Sequence, residues 1–93
     1  MTDAATITEA EILADAIAPD RADMPVEAAH AVLDWKFSDH ATQHMRALLD
    51  RNNKGVLTPA EEVELDRYRR VGMLLDLVQA KARVSLRRAE TAS

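Results

Sequence analysis

Ninety-three residues, with sixteen acids, twelve bases, a formal net charge of −4 and no cysteine, allow at most one small domain. They exclude disulfides, thiol catalysis and cysteine-ligated metal centres. Apolar residues are 47% of the chain, enough for a core, but only Trp35, Phe37 and Tyr68 are aromatic and glycine occurs only at Gly55 and Gly72, a composition that favours helices over strands.

In chain order, residues 1–6 read as a flexible tail. Thr8 and Glu11 form a capping box, in which the threonine side chain accepts from the third amide and the glutamate reaches back. The helix it starts is expected to reach Ala18, with Ile12, Leu13, Ala16 and Ile17 on one side, and to stop at Pro19, because the residue before proline is driven out of the helical region. Pro25 suits a first helical position, and Glu27 sits in the first turn, where the helix dipole favours an acid. This second helix runs to Asp34 and offers Val26, Ala29, Val32 and Leu33 for burial. Residues 35–37 read as a helix exit, in preference to a short extended piece whose two aromatics close the core.

Ser38 caps the third helix, from Asp39 to about Arg51, which packs through Ala41, Met45, Leu48 and Leu49. Gly55 is placed to take the left-handed conformation of a helix stop. Thr58, Pro59 and Glu61 then satisfy every start rule together. The helix that follows occupies about thirty residues without another proline. From Tyr68 its apolar positions step through Val71, Leu75, Val78, Ala82 and Leu86, the three–four spacing of a buried helix face. Gly72 lies inside this stripe and costs roughly 1 kcal/mol against alanine; close approach of another helix is the expected reason.

Charge is unevenly spread. Residues 1–34 carry eight acids and one base, residues 35–66 six acids and four bases, and residues 67–93 two acids and seven bases. An acidic head and a basic tail imply complementarity within or between subunits, or an acidic partner surface.

Three groups of residues carry possible chemistry. Residues 50–61 align with a twelve-residue calcium loop through Asp50, Asn52, Gly55, Thr58 and Glu61. Lys54, however, stands where an oxygen ligand belongs, and a helix stop followed by a capped start explains the same residues without metal. His40 and His44 share a helix face at metal-ligand spacing, with no third ligand in evidence. The bases Arg69, Lys81, Arg83, Arg87 and Arg88, with Tyr68 beside them, are the candidate partner-binding residues. Complementing the helix dipole is their alternative role. Nucleic acid is the less favoured partner, since the chain is acidic overall and has no aromatic near its tail. No catalytic constellation, glycine-rich phosphate loop or cofactor motif is present, so no enzyme activity and no cofactor are expected.

The run from Gly55 through Leu57-Thr58-Pro59, Tyr68, Val71-Gly72, Leu74-Leu75, Leu77 and Lys81-Ala82-Arg83 resembles a widespread group of small uncharacterised bacterial proteins. Their signature is G-x-L-T-P-E-E…Y-x-x-V-G-x-L-L-x-L…K-A-R. Ile12-Leu13, Ala18-Pro19-Asp20 and Glu27-Ala28-Ala29 extend the likeness over most of residues 10–88; Ala60 replaces the commoner glutamate. The resemblance implies a link to genes for HNH-type nucleases, and hence an antitoxin-like or accessory role.

The sequence therefore predicts an all-α protein in which three short helices pack on one long C-terminal helix, forming a single domain over residues 7–90. It is expected to be a protein-interaction module whose partner is a second copy or a neighbouring gene product. A calcium-responsive helical protein and a nucleic-acid-binding regulator are the alternatives. No apolar run approaches the roughly 18 residues of a membrane span, and MTDAATITEAE lacks the basic start and apolar core of a signal peptide. A cytoplasmic location is expected.

Overall fold

The computed structural model describes residues 7–92, so the tail expected over residues 1–6 lies outside the described residues. The architecture is all-α. Four helices follow in order: α1 (Glu9–Ile17), α2 (Val26–Leu33), α3 (Asp39–Asn53) and α4 (Pro59–Ala92). The first three pack along α4, which is 34 residues long.

Each start is built by the chemistry legible in the sequence. Thr8 and Glu11 close their capping box, with Glu11 N–H donating to Thr8 Oγ1 at 3.0 Å. Ser38 Oγ accepts from Ala41 N–H at 3.1 Å. Thr58 and Glu61 exchange two hydrogen bonds of 3.1 Å each. Together these bonds satisfy helix-start donors that have no partner within the helix. Pro25 differs by one residue from expectation: with ψ 146° it precedes the helix as its cap rather than starting it.

The stops are equally local. After α3, Gly55 takes φ 73°, its N–H donates to Asn52 O at 3.0 Å, and Val56 N–H donates to Arg51 O at 3.0 Å. This pair of bonds is the Schellman arrangement, and it lets α3 run two residues beyond the expected Arg51. After α1, Ala18 is left-handed, at φ 52° and ψ 69°. Pro19 bars it from continuing the helix, and an alanine held there carries strain of about 1 kcal/mol.

The chain divides into two compact units, and α4 contributes to both. The first unit joins residues up to Trp35 with those from Met73 onward. Its centre is Ala29, Val32 and Ala82, with Met24, Leu33, Val78 and Leu86 packed around them. α1 buries no residue, and Ile12 and Val26, both expected inward, are exposed. The second unit, Lys36–Gly72, sets α3 beside the first turns of α4 and encloses Leu48 and Leu65. Leu49 and Val71 of the expected apolar sets stay exposed there, as does Val63.

Gly72 does not mark a close helix. The nearest atom a Cβ there would meet is Phe37 Cε2, at 4.0 Å, an ordinary contact with a ring from the segment preceding α3. Gly72→Ala therefore fits and removes the glycine penalty inside a helix. It is expected to raise stability by about 1 kcal/mol, read as a higher midpoint in thermal melts followed by circular dichroism.

Candidate interaction surface

The last turns of α4 carry polar side chains with two different fates. Lys81 turns inward: its side chain is 16% exposed, and its ammonium donates to Ile17 O at 2.6 Å and to Asp23 at 2.8 Å. Gln79 donates to Val32 O at 3.1 Å and to Trp35 O at 2.8 Å. Ser85, buried, accepts from Met24 N–H at 3.1 Å. These three residues of one helix serve the last carbonyl of α1, the connection between α1 and α2, and the end of α2. Ile17 O is a helix-end carbonyl and Met24 N–H lies between helices, and burying such groups unpaired is costly; Val32 O accepts from Trp35 N–H at 3.0 Å as well. Arg83, Arg87 and Arg88 instead point to solvent, and none has a side-chain partner among the described residues.

Of the six candidate partner-binding residues, Arg69, Arg83, Arg87 and Arg88 are exposed and have no side-chain partner among the described residues. Lys81 is committed inside its unit. Tyr68 is half-buried, with its ring edge-on to Phe37 (centroids 5.9 Å apart, 68°) and to His44 (6.0 Å, 61°). The acidic head and basic tail meet in one unit, where Lys81 and Asp23 form an ion pair. Gln79 and Ser85 went unnoticed in the sequence. Ser85 breaks an otherwise apolar register three residues after Ala82, the one signal that pointed to it.

The sequence motifs for metal resolve into ordinary contacts. α3 continues helically through Asn53, Asp50 pairs with Lys54 at 3.0 Å, and Glu61 pairs with Arg51 at 2.9 Å. The side-chain oxygens of Asp50, Thr58 and Glu61 are thereby engaged in ion pairs and a helix start. His44 Nε2 lies 3.0 Å from Glu64 Oε1, while His40 is exposed. Among the described residues, no three histidines, aspartates or glutamates converge as metal ligands. Phe37, Glu64, Arg67, Tyr68 and Val71 line a hollow of about 300 Å³.

Two carboxylates are held below their ordinary values. The Thr58 backbone N–H, followed by Arg51, lowers Glu61 from 4.5 against an opposing desolvation. The hydrogen bond from Lys81 leads the lowering of Asp23 from 3.8, with Arg21 adding to it and desolvation opposing. A carboxyl whose pKa is lower when folded adds stability that is complete above its unfolded pKa and is lost as pH falls through the folded value. Unfolding free energy is therefore expected to decline below about pH 4.5. Urea titrations between neutrality and strong acid would check this, and the decline should be shallower in Glu61→Gln.

Trp35 is the largest apolar side chain of the chain and stands 56% exposed, just past the end of α2. Ile12 and Val26 of the same unit are exposed as well, and so are the acids Asp15, Asp20, Glu27 and Asp34. No helix among the described residues is long and apolar enough to cross a membrane. Fold and surface together define a small all-α protein whose one tryptophan is turned to solvent. No family model, curated protein or solved structure matches the chain.

Proposed function

We propose that this chain is a non-enzymatic, cytoplasmic interaction module, an antitoxin-like or accessory partner of a neighbouring nuclease-type enzyme. Its acidic N-terminal face would occupy the basic cleft with which such an enzyme holds nucleic acid. Trp35 carries the reading. Tryptophan is among the side chains enriched as interface anchors, and here it is exposed directly after a segment with eight acids and one base. Acids around an aromatic anchor steer a cationic surface into contact. The resemblance to small bacterial proteins encoded near HNH-type nucleases supports the choice of partner.

Trp35 is the sole tryptophan, so its fluorescence reports on binding directly. Titration with the purified product of the adjacent nuclease gene is expected to shift its emission to the blue. Trp35→Phe, read by calorimetry, is expected to weaken binding by about tenfold, and Trp35→Ala by about thirtyfold or more. An affinity unchanged by Trp35→Ala, or no binding at low salt, would overturn the reading.

A further inference from the structure

We propose that the hollow beside Tyr68 binds a small monocarboxylic acid with an aromatic or branched aliphatic body. The hollow lies wholly within the second unit, on α4 and the segment preceding α3. Its volume, about 300 Å³, is at the lower end of the range for small-molecule sites, roughly 300–1,000 Å³.

Its walls divide by chemistry. Phe37 and Tyr68, paired edge to face, and Val71, 51% exposed, form an apolar side that a ligand body would cover. The polar side holds Glu64 and Arg67. Glu64 is already engaged, with Oε1 at 3.0 Å from His44 Nε2. The Arg67 guanidinium and the Tyr68 hydroxyl have no hydrogen-bond or ion-pair partner among the described residues. The unfilled capacity of the hollow is thus hydrogen-bond donation, concentrated on one planar cation.

A guanidinium presents parallel N–H groups that match the two oxygens of a carboxylate. One cation beside one carboxylate favours a monoanion over a phosphate dianion, whose second charge would have no cation of its own beside Glu64. The platform is also held in place: Arg51–Glu61 at 2.9 Å and His44–Glu64 at 3.0 Å join α3 to the first turns of α4. The proposal uses no residue of the acidic head, so it stands or falls separately from the nuclease-partner reading.

The test is titration of the full chain with 3-phenylpropionate and, separately, 3-phenylpropanamide, followed by two-dimensional NMR. Saturable shifts centred on Phe37, Arg67, Tyr68 and Val71 are expected. The acid should bind about tenfold more tightly than the amide, the difference one charge-assisted pair supplies. Arg67→Met should abolish that preference, and Val71→Ser should weaken acid and amide alike. Both positions are exposed, so both variants should fold. Equal affinity for acid and amide, or no saturation at millimolar ligand, would overturn the proposal. So would equal shifts at Arg83 and Arg87. A short peptide ending in a free phenylalanine supplies the last arm. If it saturates the hollow and 3-phenylpropionate does not, the occupant is a protein terminus and the small-acid assignment is wrong.

Discussion

Leu48→Ala is expected to cost about 3 kcal/mol, within the roughly 2–5 kcal/mol seen when a fully buried leucine is truncated. Leu48 is 0% exposed and Leu65 2%, and they are the largest fully enclosed side chains among the described residues. Truncation removes apolar contact and leaves a cavity that two helices tied by Arg51–Glu61 can only partly close. Small domains hold about 5–15 kcal/mol in total, so this single change removes a large share. At roughly 4–8 °C per kcal/mol, the melting midpoint should fall by well over 10 °C. The neighbouring residue supplies the control. Leu49 is 37% exposed, and Leu49→Ala should stay within about 1 kcal/mol. Urea unfolding of the two variants side by side checks the pair; equal losses would show that Leu48 is not the enclosed one.

Lys81→Met is expected to destabilise the chain by about 2 kcal/mol, whereas Arg83→Met and Arg87→Met should stay within roughly 0.5 kcal/mol. All three belong to the same basic run, and all three substitutions remove a cation while keeping an apolar stem. What separates them is geometry. The Lys81 ammonium donates to the terminal carbonyl of α1 and to Asp23, whereas Arg83 and Arg87 have no partner among the described residues. With Lys81 gone, the Ile17 carbonyl loses its donor beside a strained Ala18. The depressed pKa of Asp23 should also return toward its ordinary value, because the Lys81 hydrogen bond is the leading cause of the depression. Thermal melts would settle the ranking, and an NMR titration of the Asp23 carboxyl would settle the link. If Lys81→Met melted like Arg83→Met, the ion pair and the carbonyl cap would carry no weight.

Most helix boundaries could be read from the chain because their determinants lie within five residues of one another. A threonine and a glutamate three apart close a capping box wherever the chain happens to sit. Asn52, Gly55 and Val56 complete a helix stop through bonds that span five residues at most. The exposed face of the tryptophan-bearing segment was not legible in the same way. Ile12 and Val26 occupy positions that a helical period would bury, yet both remain in solvent. Three–four spacing states which residues share a face of a helix; it does not state whether anything lies against that face.

The candidate site divides along the same line. Tyr68 and the basic residues could be picked out by type, but type alone put Lys81 in one group with Arg83, Arg87 and Arg88. Its separation from them depends on Ile17 and Asp23, 64 and 58 positions away in sequence. Gln79 and Ser85 depend on Val32, Trp35 and Met24 in the same manner. Likewise, the hollow at Arg67 exists only because Phe37 reaches Tyr68. The sequence by itself determined the helices, their caps and the long apolar stripe, because each rests on hydrogen bonds or periodicity within a few residues. Only the tertiary structure decided which polar side chains are consumed in closing helix ends and which remain free. That choice is made by backbone groups brought together from distant parts of the chain.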